Sequence, residues 1–279
     1  MKKRKASNTA QTVAYLRALG NLSPIVPGFS DPMAEKFLSS SWEKRFEKGR
    51  SKLPKSPYPF WFRGMGICNQ FRTVVLDRAI LTALPFEQLV ILGAGFDGRA
   101  WRLNGIENAI VFEVDHPNTQ QIKKEKAAKY KPTAKELRFV GMDFTRDNLI
   151  TSLTNAGFDP KKKTFWLWEA VIMYLTPEKV VDTLTATSNC STAGSFIAFT
   201  YMAKRNKKIP ASIFLKLLKE PVLSAYTIDE IADVAKKCGW NLASNTGIED
   251  WKRELIPDSH LNRRNVGIQW YERIFIGKR

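Results

Sequence analysis

Residues 88–103 read QLVILGAGFDGRAWRL. The apolar run Gln88 to Leu92 is short enough for a buried strand, and it breaks into Gly93, Gly95 and Gly98 at G-x-G-x-x-G spacing. A strand that turns sharply on glycines marks the carboxyl edge of an open α/β sheet, where such sheets bind their ligands. The missing side chains let the backbone come close to whatever sits there.

Downstream, short apolar runs alternate with helical patterns, the mark of βα units and a mostly parallel sheet. Further strands are expected at Ala109 to Val114, Leu137 to Gly141, Thr164 to Trp168, Ser195 to Tyr201, Trp240 to Thr246 and Gln269 to Ile276, seven with the first. Helices are expected at Asn118 to Lys129, Arg146 to Asn155, Pro177 to Ser188 behind an N-capping Thr176, and Ile228 to Cys238, which opens on a Thr227/Glu230 capping box. Between strands five and six, Ala203 to Tyr226 is basic, carries Pro210 and Pro221, and holds an amphipathic IFLKLLK core. It reads as an insertion over the ligand edge, a lid for an acceptor. Upstream, a basic tail over residues 1–7 precedes a helix at Asn8 to Leu19 that Gly20 should cap. Two Pro/Gly-rich breaks follow, SPIVPGFSDP and KLPKSPYPFWFRGMG, and then a helix at Asn69 to Leu84. The division implied is an N-terminal helical cap, residues 1–67, ahead of one ligand-binding domain, residues 68–279.

Composition narrows the function classes. No apolar run is long enough to cross a membrane and none follows the basic N-terminus as in a secretory signal, so a soluble, cytoplasmic protein is expected. Cys68, Cys190 and Cys238 are odd in number and scattered, and only His116 and His260 are present. That material suggests neither a disulfide framework, nor a zinc site, nor a His-based triad. The excess of 44 Lys and Arg over 27 Asp and Glu, formally +17, favours anionic partners. A basic nucleic-acid-binding module is therefore the rival reading, although no RNA-binding aromatic motif or recognition helix accompanies the charge.

The glycine spacing also matches a dinucleotide fingerprint. Pyrophosphate, however, is held by free N–H groups at a helix start, and Asp97 in the loop would repel it. S-adenosylmethionine (SAM) has no phosphate and carries an ammonium, which makes it the better fit. Asp115 ends the second strand roughly 20 residues on, where a carboxylate accepts both ribose hydroxyls; it could equally cap the helix opening at Pro117. After the third strand, Asp143 and Phe144 suit an adenine amino group and ring face, or else are a loop acid beside a core aromatic. A guanidinium at Arg72 would pair bidentately with a carboxylate, and Glu169 after the fourth strand suits an ammonium near a sulfonium. Surface or strand-end roles remain open for both. Tyr174 and Tyr201 lie near the same edge, as acceptor contacts or as core tyrosines.

Five stretches, QFRT (70–73), LGAGFDGRAWRL (92–103), FEVDHP (112–117), MDF (142–144) and WLWEAVIMYL (166–175), together resemble the leucine carboxyl methyltransferase family of SAM-dependent O-methyltransferases, from about Ala34 to Met202. The resemblance implies a Rossmann-like class I methyltransferase sheet with an antiparallel last strand. It also implies site roles: Arg72 on the methionine carboxylate, Gly93 under the cofactor, Asp115 on the ribose, Asp143 and Phe144 on the adenine, and Glu169 near the methionine amino end. Gly98 stands where the family usually has Thr, and Ala170 where it usually has Gly. The activity implied is esterification of a carboxylate on a small acidic metabolite or a protein C-terminus.

Overall fold

Strand β1 (Gln88–Leu92) is the centre of the sheet, and its residues face alternately into two cores: Leu89 and Ile91 one way, Val90 and Leu92 the other. The computed structural model describes residues 8–51, 58, 62–144, 146–204, 222–256 and 271–279. Within them β1 pairs in parallel with β2 (Ile110–Asp115) and β4 (Thr164–Trp168), and β2 pairs in parallel with β3 (Glu136–Gly141). Beyond β4 comes β5 (Phe196–Met202), again parallel, then β7 (Glu272–Lys278) antiparallel between β5 and β6 (Asn241–Gly247). The order is β3-β2-β1-β4-β5-β7-β6. The expected seven-stranded sheet and its antiparallel last strand are both present.

One face is covered by helices α1 (Asn8–Leu22), α2 (Met33–Lys36), α3 (Ser40–Arg50), α4 (Arg63–Thr82), α5 (Arg99–Arg102) and α6 (Pro117–Ala127), which supply Leu16, Met33, Phe46, Phe71, Trp101 and Ala127 to its core. The opposite core is filled from α7 (Leu149–Asn155), α8 (Pro177–Asn189) and α9 (Ile228–Lys237), with Leu153, Leu184 and Ile231 packed on Trp166 and Trp168. Helix α10 (Ile248–Leu255) returns to the first core through Trp251 and Leu255. No helix among the described residues is long and apolar enough to cross a membrane.

Several boundaries differ from expectation for local reasons. Helix α1 runs through Gly20 to Leu22. Gly20 is not a cap but a gap: a methyl there would collide with the Tyr58 hydroxyl, itself 2.6 Å from Gln70 Nε2. Helix α4 starts at Arg63, six residues before the expected Asn69, because Gly64 and Gly66 are helical; Gly66 leaves room for the Tyr58 ring. Helix α7 begins only at Leu149, since Asp147 Oδ2 accepts from the Asp143 N–H and holds that stretch as a turn, after which Asn148 caps. The Thr227/Glu230 capping box and the Thr176 cap are both formed.

The ends of the expected insertion are fixed. Lys204 N–H donates to Tyr226 O, Tyr226 N–H to Met202 O, and Leu223 N–H to Met173 O. The amphipathic core between them lies outside the described residues, as does the lid expectation placed on it.

Candidate functional site

The carboxyl ends of β1, β2 and β4 open on a cavity of about 380 Å³, within the range of small-molecule sites. Its floor is the loop Gly93–Asp97. Gly93 (φ +66°) and Gly95 (φ +47°) take the left-handed conformation that favours glycine. A side chain at Gly93 would also overlap Val171 Cγ2 from the turn after β4. The opposite wall is α1, which presents Thr9, Ala10, Val13, Ala14 and Arg17 from one side of the helix. Arg72 of α4 and the run Glu169–Val171 with Tyr174 complete the lining.

Asp115 sits where the second strand stops. Its Oδ2 accepts from Gly95 N–H at 2.6 Å and its Oδ1 from His116 N–H at 2.7 Å. Burial pushes its carboxyl above the ordinary aspartate value, and these two N–H groups pull it back only in part. It is not the cap of α6: His116 holds that place, its Nδ1 accepting from Asn118 N–H.

Asp97 lines the cavity but is 5% exposed, and its carboxylate accepts from the Arg99 N–H and guanidinium. Burial would raise its pKa, but Arg99 and Arg17 reverse that and leave it below the usual carboxylate range. The expectation that Asp97 repels phosphate from the loop therefore fails physically. Its charge is already neutralised from below.

Glu169 is the hub. Its Oε1 accepts from Arg17 Nη2 and, at 2.7 Å, from Arg72 Nε; its Oε2 accepts from Arg99 Nη1 at 2.7 Å. Arg72 continues through Nη1 to both oxygens of Glu272 on β7, at 3.0 and 2.8 Å. Arg99 reaches Asp77 of α4 at 2.6 Å, and Arg102 grips the same carboxylate with Nη1 and Nη2. Behind Arg17 and Arg102 lies Asp31, fully buried. Burial would push the Glu169 carboxyl up, yet Arg17, Arg99 and Arg72 hold it well below the ordinary glutamate range. For Arg72 burial works to lower the pKa, and Glu272 with Glu169 raises it instead, so its charge is fixed. Arg72 Nη2 and Arg17 Nε are buried N–H groups without a partner among the described residues, in two side chains that line the cavity.

Of the residues expected from sequence, the structure brings Arg72, Gly93, Gly95, Asp97, Asp115, Glu169 and Tyr174 together around this cavity. Asp143 and Phe144 lie past the end of β3, outside the lining, with Asp143 paired to Arg146 at 2.8 Å. Tyr201 is fully buried, and its hydroxyl donates to Asn245 Oδ1 at 3.0 Å, away from the cavity. That is the core role left open for it. Sequence reasoning missed Arg17, although a lone Arg on an otherwise small and apolar helix face was the available signal. It missed Arg99 inside a quoted motif, and Asp31, Asp77 and Glu272 carried no local signal at all.

The family model described as leucine carboxyl methyltransferase matches residues 10–188, more than half of the chain. The chain belongs to that family. Its relatives include a protein of Mycolicibacterium smegmatis assigned as an S-adenosyl-L-methionine-dependent methyltransferase (33% identical over 210 residues, 71% of this chain and 67% of that one). Another, from Rhodococcus jostii, is 35% identical over 199 residues, covering 70% and 66%. A third, from Mycobacterium sp. strain KMS, is 35% identical over 176 residues, covering 60% of this chain and 58% of its own. The chain thus spans between 58% and 67% of these relatives' lengths. Among solved structures, a protein of Thermobifida fusca assigned as a methyltransferase superposes over 100% of this chain and 96% of its own, with TM-score 0.61 at 17% identity. A DUF574 family protein of Streptomyces avermitilis does so over 98% of each chain, with TM-score 0.60 at 11% identity. At such identities the likeness is one of fold. The family match ends at residue 188, so Glu272, which completes the arginine cluster, lies beyond it.

Proposed function

We propose that this member of the leucine carboxyl methyltransferase family moves a methyl group from SAM to a carboxylate oxygen of an acidic acceptor, either a small acid or a protein C-terminus. The observation that carries the choice of acceptor is the state of the acids lining the cavity. Glu169 and Asp97 are held by arginines below their usual range. Neither is a ready proton acceptor, and Asp115 is assigned to the ribose hydroxyls. A hydroxyl nucleophile needs a base, whereas a carboxylate arrives ionised.

The cavity residues fit the cofactor. The unpartnered donors Arg72 Nη2 and Arg17 Nε suit a carboxylate, Asp115 retains lone pairs for ribose hydroxyls, and the left-handed glycines keep the floor free of side chains. Asp143 and Phe144 remain the candidates for the adenine end. SAM, when bound, supplies an electrophilic methyl on a sulfonium. The remaining tasks fall to this chain: hold the partners in line and exclude water. Helix α1 covers the site for the second task, and Tyr174 at the rim is proposed to orient the acceptor. A carboxylate acceptor brings no proton to remove, so transfer of the methyl from the bound sulfonium would ask no general base of this chain. A small-molecule-sized cavity at the strand ends and family membership speak against the rival reading as a nucleic-acid module, whose only support is the +17 charge.

The acceptor class is tested by incubating the protein with methyl-tritiated SAM and a cell extract. Label in an ester is released as volatile methanol in mild alkali, and release is the expected result. Base-stable label would reject the carboxylate in favour of hydroxyl or nitrogen methylation. Separately, Asp115→Ala should weaken SAM binding by roughly 1.5–3 kcal/mol, as loss of a charge-assisted hydrogen bond does. Calorimetric titration reads this directly, and an unchanged affinity in the folded variant would remove Asp115 from the ribose.

A further inference from the structure

Ala170 is the one non-glycine residue among those described with a positive φ, +58°. L-residues avoid this region because Cβ crowds the following carbonyl, and such outliers persist only where the surroundings impose them. The surroundings here are explicit. Glu169, just before, is fixed by three arginines; the Ala170 N–H donates to Thr200 Oγ1 at 2.8 Å; and Val171, just after, packs down onto Gly93. The chain must turn left-handed at 170 to serve both neighbours. Glycine would meet that demand without strain, yet an alanine is present, and it lines the cavity between Glu169 and Tyr174.

We propose that the Ala170 side chain is a steric wall that sets how large a group the site accepts beside the transferred methyl, so that Ala170 is a specificity-determining residue. The inference rests on the reading of the cavity as a SAM site. The strain at position 170 is what the fold sustains to keep a methyl-sized boundary there. A Gly at 170 keeps the turn, the Thr200 bond and the Glu169 cluster, and removes only the boundary.

The test uses the full chain and three probes whose binding needs no acceptor: SAM, its S-ethyl analogue S-adenosyl-L-ethionine, and S-adenosylhomocysteine. One added methylene against a tight wall costs about 10–200-fold. Wild type is expected to bind the S-ethyl analogue at least about tenfold more weakly than SAM, and Ala170→Gly to cut that ratio to about threefold or less. Affinity for S-adenosylhomocysteine, which has no transferable group, should stay within about twofold in the variant. Thermal unfolding adds a second readout: relief of the left-handed strain should leave the midpoint of Ala170→Gly unchanged or raise it by about 2–4 °C. An S-ethyl to S-methyl ratio that is the same in both proteins overturns the wall, as does equal binding of the two by wild type. Failure of wild type to bind SAM and S-adenosylhomocysteine alike would instead overturn the cofactor reading beneath it.

Discussion

Glu169→Gln should lower stability by about 3–5 kcal/mol, the cost of removing one partner from a buried charge cluster. The change keeps shape and removes the charge that Arg17, Arg72 and Arg99 share. Three guanidiniums are then left with Asp31, Glu272, Asp97 and Asp77 alone. For a domain of this size the thermal midpoint should fall by about 6–20 °C. The sign with pH follows from the depressed Glu169 pKa. A carboxyl with a lowered folded pKa contributes stability above its unfolded value and loses it as pH falls through the folded one. The variant should therefore lose most at neutral pH and converge on wild type in strong acid. A midpoint within about 2 °C of wild type at pH 7 would show that the cluster is balanced without Glu169. SAM binding should be lost in the same variant, because Arg72 and Arg17 lose the anchor that fixes their orientation.

The second large effect lies outside the cavity. Glu113 of β2 and Lys123 of α6 form an ion pair with both side chains essentially sealed from solvent, and Lys123 Nζ lies 5.5 and 5.4 Å from the ring centroids of Phe37 and Trp101. Burial pushes the Glu113 carboxyl up to about 7 against the pull of Lys123, with Asp97 and Asp115 adding to the rise. A carboxyl raised in the folded state binds protons that the unfolded state releases, so its contribution to stability declines as pH rises from the ordinary glutamate value towards 7 and is level above it. Lys123→Met removes the pull and sends the folded pKa higher still. Its cost should thus be modest at pH 6 and grow by about 1.4 kcal/mol per pH unit above 7, towards the 3–5 kcal/mol typical of a broken buried pair. Denaturant unfolding at pH 6 and pH 8.5 checks this. A cost equal at the two values would mean that Glu113 stays ionised without its partner.

The sheet was legible because each strand is a run of apolar residues closed by punctuation. β1 and β4 coincide with the runs at Gln88 to Leu92 and Thr164 to Trp168, and the other strands shift by one to three residues at their ends. The helical layer was less legible where glycine served packing and not turning, as at Gly20 and Gly66. For the site, the motif acids and Arg72 could be read because each follows a strand or sits on a recognisable helix. Their partners could not be. Arg17 reaches Glu169 across 152 residues and Arg72 reaches Glu272 across 200, and no local pattern encodes which distant charge will neutralise another. Asp97 shows the same limit from the other side: its residue type suggested a ligand-facing charge, and only the fold reveals that Arg99 has claimed it.

The position of β7 between β5 and β6 has a consequence for how the chain is made. On the ribosome β6 emerges before β7, and at that moment it has no strand to pair with, because its one neighbour among the described strands is still to be synthesised. The same wait applies to Arg72, whose outer guanidinium nitrogen meets Glu272 at the very start of β7. Domains generally assemble as units, and pairings between distant segments form late. The parallel half of the sheet, β1 to β5 with the glycine loop, can therefore gather while translation continues, but the arginine cluster under the cavity is completed only when β7 slides between two strands already made. Completion of the cluster is in this sense gated by the arrival of residue 272 and not by the motifs that spell out the pocket well upstream of it.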